Sequence, residues 1–255
     1  MEGVGATETC GSCLEESGDE SDLEPSPEEE VGPITMRFRL GTRRVTATGE
    51  ICDHHRNVVH LQVVPSWLDR LLWPLRLLPN SLLHFFQSRW PEWFLPTKIV
   101  LKRQKAGWDE EFENEKAIYE RLASVQGTIV PVCYGEATCP ATDATGPRAL
   151  VLSHIGGIGL YEDAAGGLDT EHVEGMLLQA LRELTHLGVT HDDSKLDNFR
   201  LVGDRERIMV IDFDSSYVMA PTDDPEASAR SDARFATEQY WLAHGGRRPK
   251  LMLDN

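Results

Sequence analysis

The sequence predicts an α+β chain folded as two lobes. Three observations carry that expectation: strand-like alternation dominates the first half, a helical pattern runs from about 171 to 187, and a strand–turn–strand unit then closes on Asp212. A chain of 255 residues can hold one medium domain or two small lobes with a sizeable core.

Taken in order, residues 34–51, ITMRFRLGTRRVTATGEI, alternate apolar and polar side chains on both sides of Gly41 and Thr42, the pattern of a β-hairpin. TKIVL, residues 97–101, reads as a strand ending at Lys102. In WDEEFENEKAIYERLASV, Phe112, Ile118, Tyr119 and Leu122 share one helical face, and the acidic first turn complements the helix dipole. Residues 129–132 and 149–153 read as strands, the second running into HIGGIG. FRLVGDRERIMVIDFD reads as strand, Gly-Asp turn and strand.

The net charge is −17, but eleven of the carboxylates lie in the first 32 residues, which contain no Lys or Arg, so the rest of the chain carries −6. Residues 1–32 are rich in Glu, Ser, Gly and Pro and have no aromatic residue. Such a segment buries too little apolar area to offset its chain entropy, and a disordered acidic tail is expected, with Ser17, Ser21 and Ser26 open to phosphorylation. No basic surface points to nucleic acid. The absence of an apolar signal segment points to cytosol or nucleus. Cys10 and Cys13 form a lone CxxC without a second pair, and Cys52, Asp53, His54 and His55 are adjacent rather than spaced for tetrahedral ligation, so neither group is assigned a metal.

Residues 66–94 hold Trp67, Trp73, Trp90 and Trp93 in a leucine-rich stretch. Its prolines and charges exclude a membrane span. Leu68, Leu71, Leu72 and Leu75 fall at helical spacing, so short amphipathic helices covering a sheet are expected, with peripheral membrane contact by 66–94 as the other use its indoles suit.

The chemistry is concentrated in THDDSKLDNF, residues 190–199. Three carboxylates, a lysine and an asparagine within eight residues of His191 exceed what a solvated turn needs. Lys102 at a strand end, Glu115 thirteen residues on in a helix, this loop, and Asp212 after a hairpin occur in that order. Residues 97 to about 217 thereby resemble the protein-kinase-like fold, and within it a poorly characterised group of fungal kinase-like proteins. The resemblance implies a two-lobed fold over 33–255, with an N-terminal lobe of about 33–153 and a reduced C-terminal lobe of about 154–255. It implies ATP and Mg²⁺ as ligands, Lys102 on the α- and β-phosphates held by Glu115, Asp193 as base or orienter of the acceptor hydroxyl, Lys195 near the γ-phosphate, and Asn198 and Asp212 on the metal. Backbone groups near Ser153 and Ile155 would take the adenine.

The sequence also departs from that pattern. Asp192 stands where many regulated protein kinases have Arg, and DFD replaces DFG, a form similar to small-molecule kinases of the aminoglycoside phosphotransferase type. Asp214 either joins the metal site or faces solvent. No GxGxxG precedes Lys102, the first hairpin offering Gly41 and Gly49 alone, and no APE follows Asp214. The expected function is ATP-dependent phosphoryl transfer to a hydroxyl, on protein Ser/Thr or on a small molecule. The alternative is a non-catalytic pseudokinase, a nucleotide-binding scaffold.

Overall fold

The computed structural model describes residues 34–51, 57–67, 69, 79–141 and 145–245. The acidic tail, both cysteine groups of the N-terminal 55 residues, and Leu68, Leu71, Leu72, Trp73 and Leu75 lie outside these. The elements are β1 (Ile34–Leu40), β2 (Arg43–Ile51), β3 (Val58–Val63), α1 (Asn80–Arg89), β4 (Lys98–Lys105), α2 (Asp109–Arg121), β5 (Cys133–Thr138), β6 (Thr145–Ser153), β7 (Ile158–Gly159), α3 (Thr170–His186), β8 (Val189–Thr190), β9 (Phe199–Val202), β10 (Arg207–Val210), β11 (Tyr217–Val218) and α4 (Pro225–His244).

The two-lobed kinase-like α+β architecture with a reduced C-terminal lobe is not what forms. Six antiparallel strands close into a barrel in the order β1-β2-β3-β4-β6-β5, and the described residues belong to one compact unit. Closure rests on a short pairing of β1 with β5, Arg39 with Thr138 and Leu40 with Ala137. These partners are far apart in the chain, and local alternation does not specify which distant strand a hairpin edge will meet. Beside the barrel stand a three-stranded sheet, β10-β9-β7, a two-stranded ribbon, β11-β8, and the packed helices α3 and α4.

Period-two alternation connects the two cores. On β4, Ile99 and Leu101 point into the barrel with Phe38, Leu40, Val45, Leu61 and Val151. On β6, Ala149 and Val151 face inward, while Leu150 and Leu152 join the second core of Ile118, Tyr119, Leu177, Leu181, Phe199, Phe213 and Tyr240. The same alternation turns Lys102 out of the barrel, toward α2.

Three elements differ from expectation. Residues 129–132 form no strand, because Val125–Val130 close a tight turn that ends in the bridge Gln126 to Val130, and the strand starts at Cys133. β3 was not expected. Neither was α4, the longest helix described at 20 residues: its buried face is Ala229, Ala233, Ala236, Thr237 and Tyr240, small residues that leave little hydrophobic signal. Asp224 caps its start by accepting from the Glu226 and Ala227 amides, and Pro225 sits at its first position. In the Trp-rich stretch, α1 leaves Leu82 and Phe85 exposed rather than covering a sheet with them, while Glu92 and Leu95 are buried. No helix of the described residues is long and apolar enough to cross a membrane.

Candidate functional site

Lys102 is the centre of the site. Its ammonium lies 2.7 Å from Glu115 Oε2 and 2.5 Å from Asp212 Oδ1, so β4, α2 and the segment after β10 meet on one cation. Phe112, Glu115, Ile118 and Tyr119 form the buried face of α2, so a carboxylate is placed inside an apolar stripe where only a counter-charge makes it tolerable. Burial alone would lower the Lys102 pKa, but the Glu115 and Asp212 carboxylates outweigh it and raise it. Burial raises Glu115, with Lys102 opposing. Burial also acts to raise Asp212, but the Lys102 charge and hydrogen bond reverse this and hold it low.

The second group is the loop between β8 and β9. Asn198 donates its amide to the Asp193 carbonyl at 2.9 Å and to Asp193 Oδ2 at 3.1 Å, and Lys195 Nζ lies 3.0 Å from Asp193 Oδ1. Asp193, Lys195 and Asn198 are thus one connected unit. His191, 1% exposed, ties it to the segment carrying Asp212: its Nε2 donates to the Ile211 carbonyl at 2.9 Å, and its own carbonyl accepts from Ser216 Oγ at 3.0 Å. The Ile211 amide donates to the Asn198 carbonyl at 2.9 Å. Asp192 and Asp212 both adopt positive φ, 59° and 66°, a conformation that aspartate tolerates better than most residues. Phe213 anchors the turn, fully buried edge-on to Tyr119 and His191.

Ser153 and Ile155 are placed differently. The Ser153 amide donates to the Val132 carbonyl at 2.8 Å and its Oγ accepts from the Val132 amide at 2.9 Å, so its backbone donor is already used within the fold. Ile155 is half-buried, just before Gly156 and Gly157, whose carbonyls accept from Arg200.

Four features escaped sequence reasoning. Lys105 pairs with Asp214 at 3.2 Å, which resolves where that carboxylate goes. Asn57 lines the same cleft. Asn114 of α2 donates to the Ser216 carbonyl, pinning the segment after Asp212. At the β1–β2 turn, Glu92 Oε1 accepts from the Thr42 amide at 3.2 Å and from Thr42 Oγ1 at 2.9 Å. None of these had a sequence signal beyond the residue type itself, because each pairs residues brought together by folding.

Asp232 of α4 lies close enough to Asp192 of the loop to feel its charge. Burial, and then the Asp192 charge, push it up to about 6, and its Oδ2 is buried without a partner. An acid raised above its unfolded value near 4 stabilises the fold below that value, and the contribution is lost as pH rises through about 6. Asp232→Asn is therefore expected to match the parent near pH 4 and to be more stable at pH 8. The gain should be about 1 kcal/mol, less than the full shift implies because the carboxyl is partly wet. Thermal unfolding at the two pH values checks this.

No family model matches the chain. Over 154 residues it is 27% identical to the atypical kinase COQ8, mitochondrial, of Schizosaccharomyces pombe, an alignment that covers 58% of this chain and 22% of that protein. The relationship is kinase-like and distant. The chain spans about a fifth of that relative's length, and the likeness extends to no finer group.

Proposed function

We propose that the chain binds Mg-ATP and transfers its γ-phosphoryl group to a hydroxyl acceptor. The observation that carries this reading is the bridge of Glu115, Lys102 and Asp212, which joins residues 110 positions apart on one buried ammonium. An isolated ion pair needs one carboxylate. A lysine held by a helix carboxylate and shared with a second, partly exposed one is poised to exchange that second partner for phosphate.

In this reading Lys102 takes the α- and β-phosphates and Glu115 holds it in place. Lys195, two-thirds exposed, reaches the γ-phosphate. Asp193 accepts or orients the acceptor proton. The backbone of His154 and Ile155 receives the adenine, since the Ser153 amide is occupied. Among the described residues no group of three His, Cys, Asp or Glu could hold a metal by itself. Asn198 and Asp212 offer two oxygens, and magnesium that arrives with a nucleotide needs only one or two from the protein, the phosphates and water completing its shell. The donor set fits that case: with the Asn198 amide nitrogen on Asp193, its oxygen is the atom left for a ligand. When bound, the ion supplies charge neutralisation across the β- and γ-phosphates.

One observation favours a non-catalytic scaffold instead. At the β1–β2 turn Glu92 binds the Thr42 amide, and a Cβ on Gly41 would stand 2.7 Å from that carboxylate, so this turn is filled by the chain itself and offers no open amide to a phosphate. Incubation of the purified protein with γ-labelled ATP and Mg²⁺, alone and with protein and small-molecule hydroxyl acceptors, separates the readings. Label transfer is expected. ATP binding without transfer to any acceptor would leave the scaffold, and no binding would remove both.

A further inference from the structure

We infer that Lys105 is a second phosphate-binding cation, which does with a side chain what a glycine-rich loop would do with backbone amides. The inference rests on the Mg-ATP reading above. Strict alternation along β4 would put Lys105 on the opposite face from Lys102. The register of β4 against β6 slips between Arg103 and Lys105, however, and a bulge of this kind re-aims the side chains that follow it. Lys105 and Lys102 consequently line one cleft, together with Asn57, Glu115 and Asp214.

The cation there is held in a defined way. Lys105 Nζ lies 3.2 Å from Asp214 Oδ2 and 4.0 Å from the centroid of the Trp108 ring, which fixes its stem. Its side chain is 39% exposed, whereas the Lys102 side chain is 10% exposed. The cleft therefore presents two lysine–aspartate pairs, Lys102 with Asp212 and Lys105 with Asp214, on residues two apart in DFD and three apart in β4. Lys102 is already shared by two carboxylates. Among the described residues Lys105 has one carboxylate partner, and it has the greater exposure, so it is the more readily released to an incoming polyphosphate. The two glycines of the first hairpin offer no amide cradle: Glu92 occupies the turn at Thr42, and Gly49 lies in mid-strand, where a Cβ would stand 1.9 Å from the His60 carbonyl oxygen. Among the described residues, a polyphosphate entering this cleft thus meets the side-chain cations Lys102 and Lys105.

The test is calorimetric titration of the full chain, with Mg²⁺ present, by ATP, ADP and adenosine, for the parent, Lys105→Gln and Lys105→Arg. Lys105→Gln is expected to weaken ATP about tenfold and to leave adenosine unchanged, and Lys105→Arg to restore most of the ATP affinity. Apo melting temperatures of the variants should match the parent, because an exposed pair contributes little to stability. Equal ATP affinity in Lys105→Gln overturns the inference while leaving the Mg-ATP reading intact. A parallel loss of adenosine overturns it too, since the change would then lie in the shape of the cleft. A parent that binds none of the three removes the Mg-ATP reading and this inference with it.

Discussion

Asp193→Asn is expected to retain Mg-ATP binding while phosphoryl transfer falls about 10²–10⁴-fold, the range for loss of a positioned proton acceptor. Asp193 touches no group of the Lys102 cluster: its carboxylate is held by Asn198 and Lys195, so its loss should spare ground-state binding. Asp212→Asn is the contrasting variant. It removes the carboxylate 2.5 Å from Lys102 together with the oxygen proposed for the metal, and both binding and transfer should disappear. In a thermal-shift titration, nucleotide at about 100 times its dissociation constant stabilises the parent by roughly 2.7 kcal/mol. Asp193→Asn should keep most of that shift and Asp212→Asn should lose it. Turnover of Asp193→Asn at the parent rate would show that the centre of THDDSKLDNF has another role, even if ATP binds.

Lys102→Met should give the largest change in stability. The substitution leaves Glu115, 2% exposed, beside Asp212 without its paired ammonium, and breaking a buried pair from one side typically costs about 3–5 kcal/mol. The cost should depend on pH in a defined direction. Burial raises Glu115 even with Lys102 present, so its stabilising contribution exists below its unfolded value of about 4.3 and is lost as pH rises through the higher folded value. Without Lys102 the loss is larger. The melting temperature of Lys102→Met should therefore drop further below the parent's as pH rises above about 4.3, with the gap smallest in acid. A gap that stays constant with pH would mean that Glu115 does not depend on Lys102 for its charge.

Much of the candidate site was legible because its parts are local patterns. Lys102 ends an apolar alternation, Glu115 sits on the same helical stripe as Phe112 and Ile118, and Asp212 follows a strand–turn–strand whose partners are adjacent in sequence. Each depends on a period of two or 3.6 residues, which the chain displays without folding. The Asp193 to Asn198 hydrogen bonds likewise close within five residues.

The sequence by itself therefore determined which side chains are offered and on which face of which element. Tertiary structure alone decided who meets whom. The barrel closes through a brief β1–β5 contact between distant segments, so an expectation of two lobes built from local elements was wrong. α4 was invisible because Ala229, Ala233 and Ala236 bury little apolar area each and matter only once α3 lies against them. Lys105 reaches Asp214, and Glu92 fills the turn at Thr42, across separations of 109 and 50 residues, and the first of these also depends on a slip in register. A bulge and a long-range ion pair carry no periodic signature: they arise from the backbone geometry and charge that folding brings together, which no window along the chain contains.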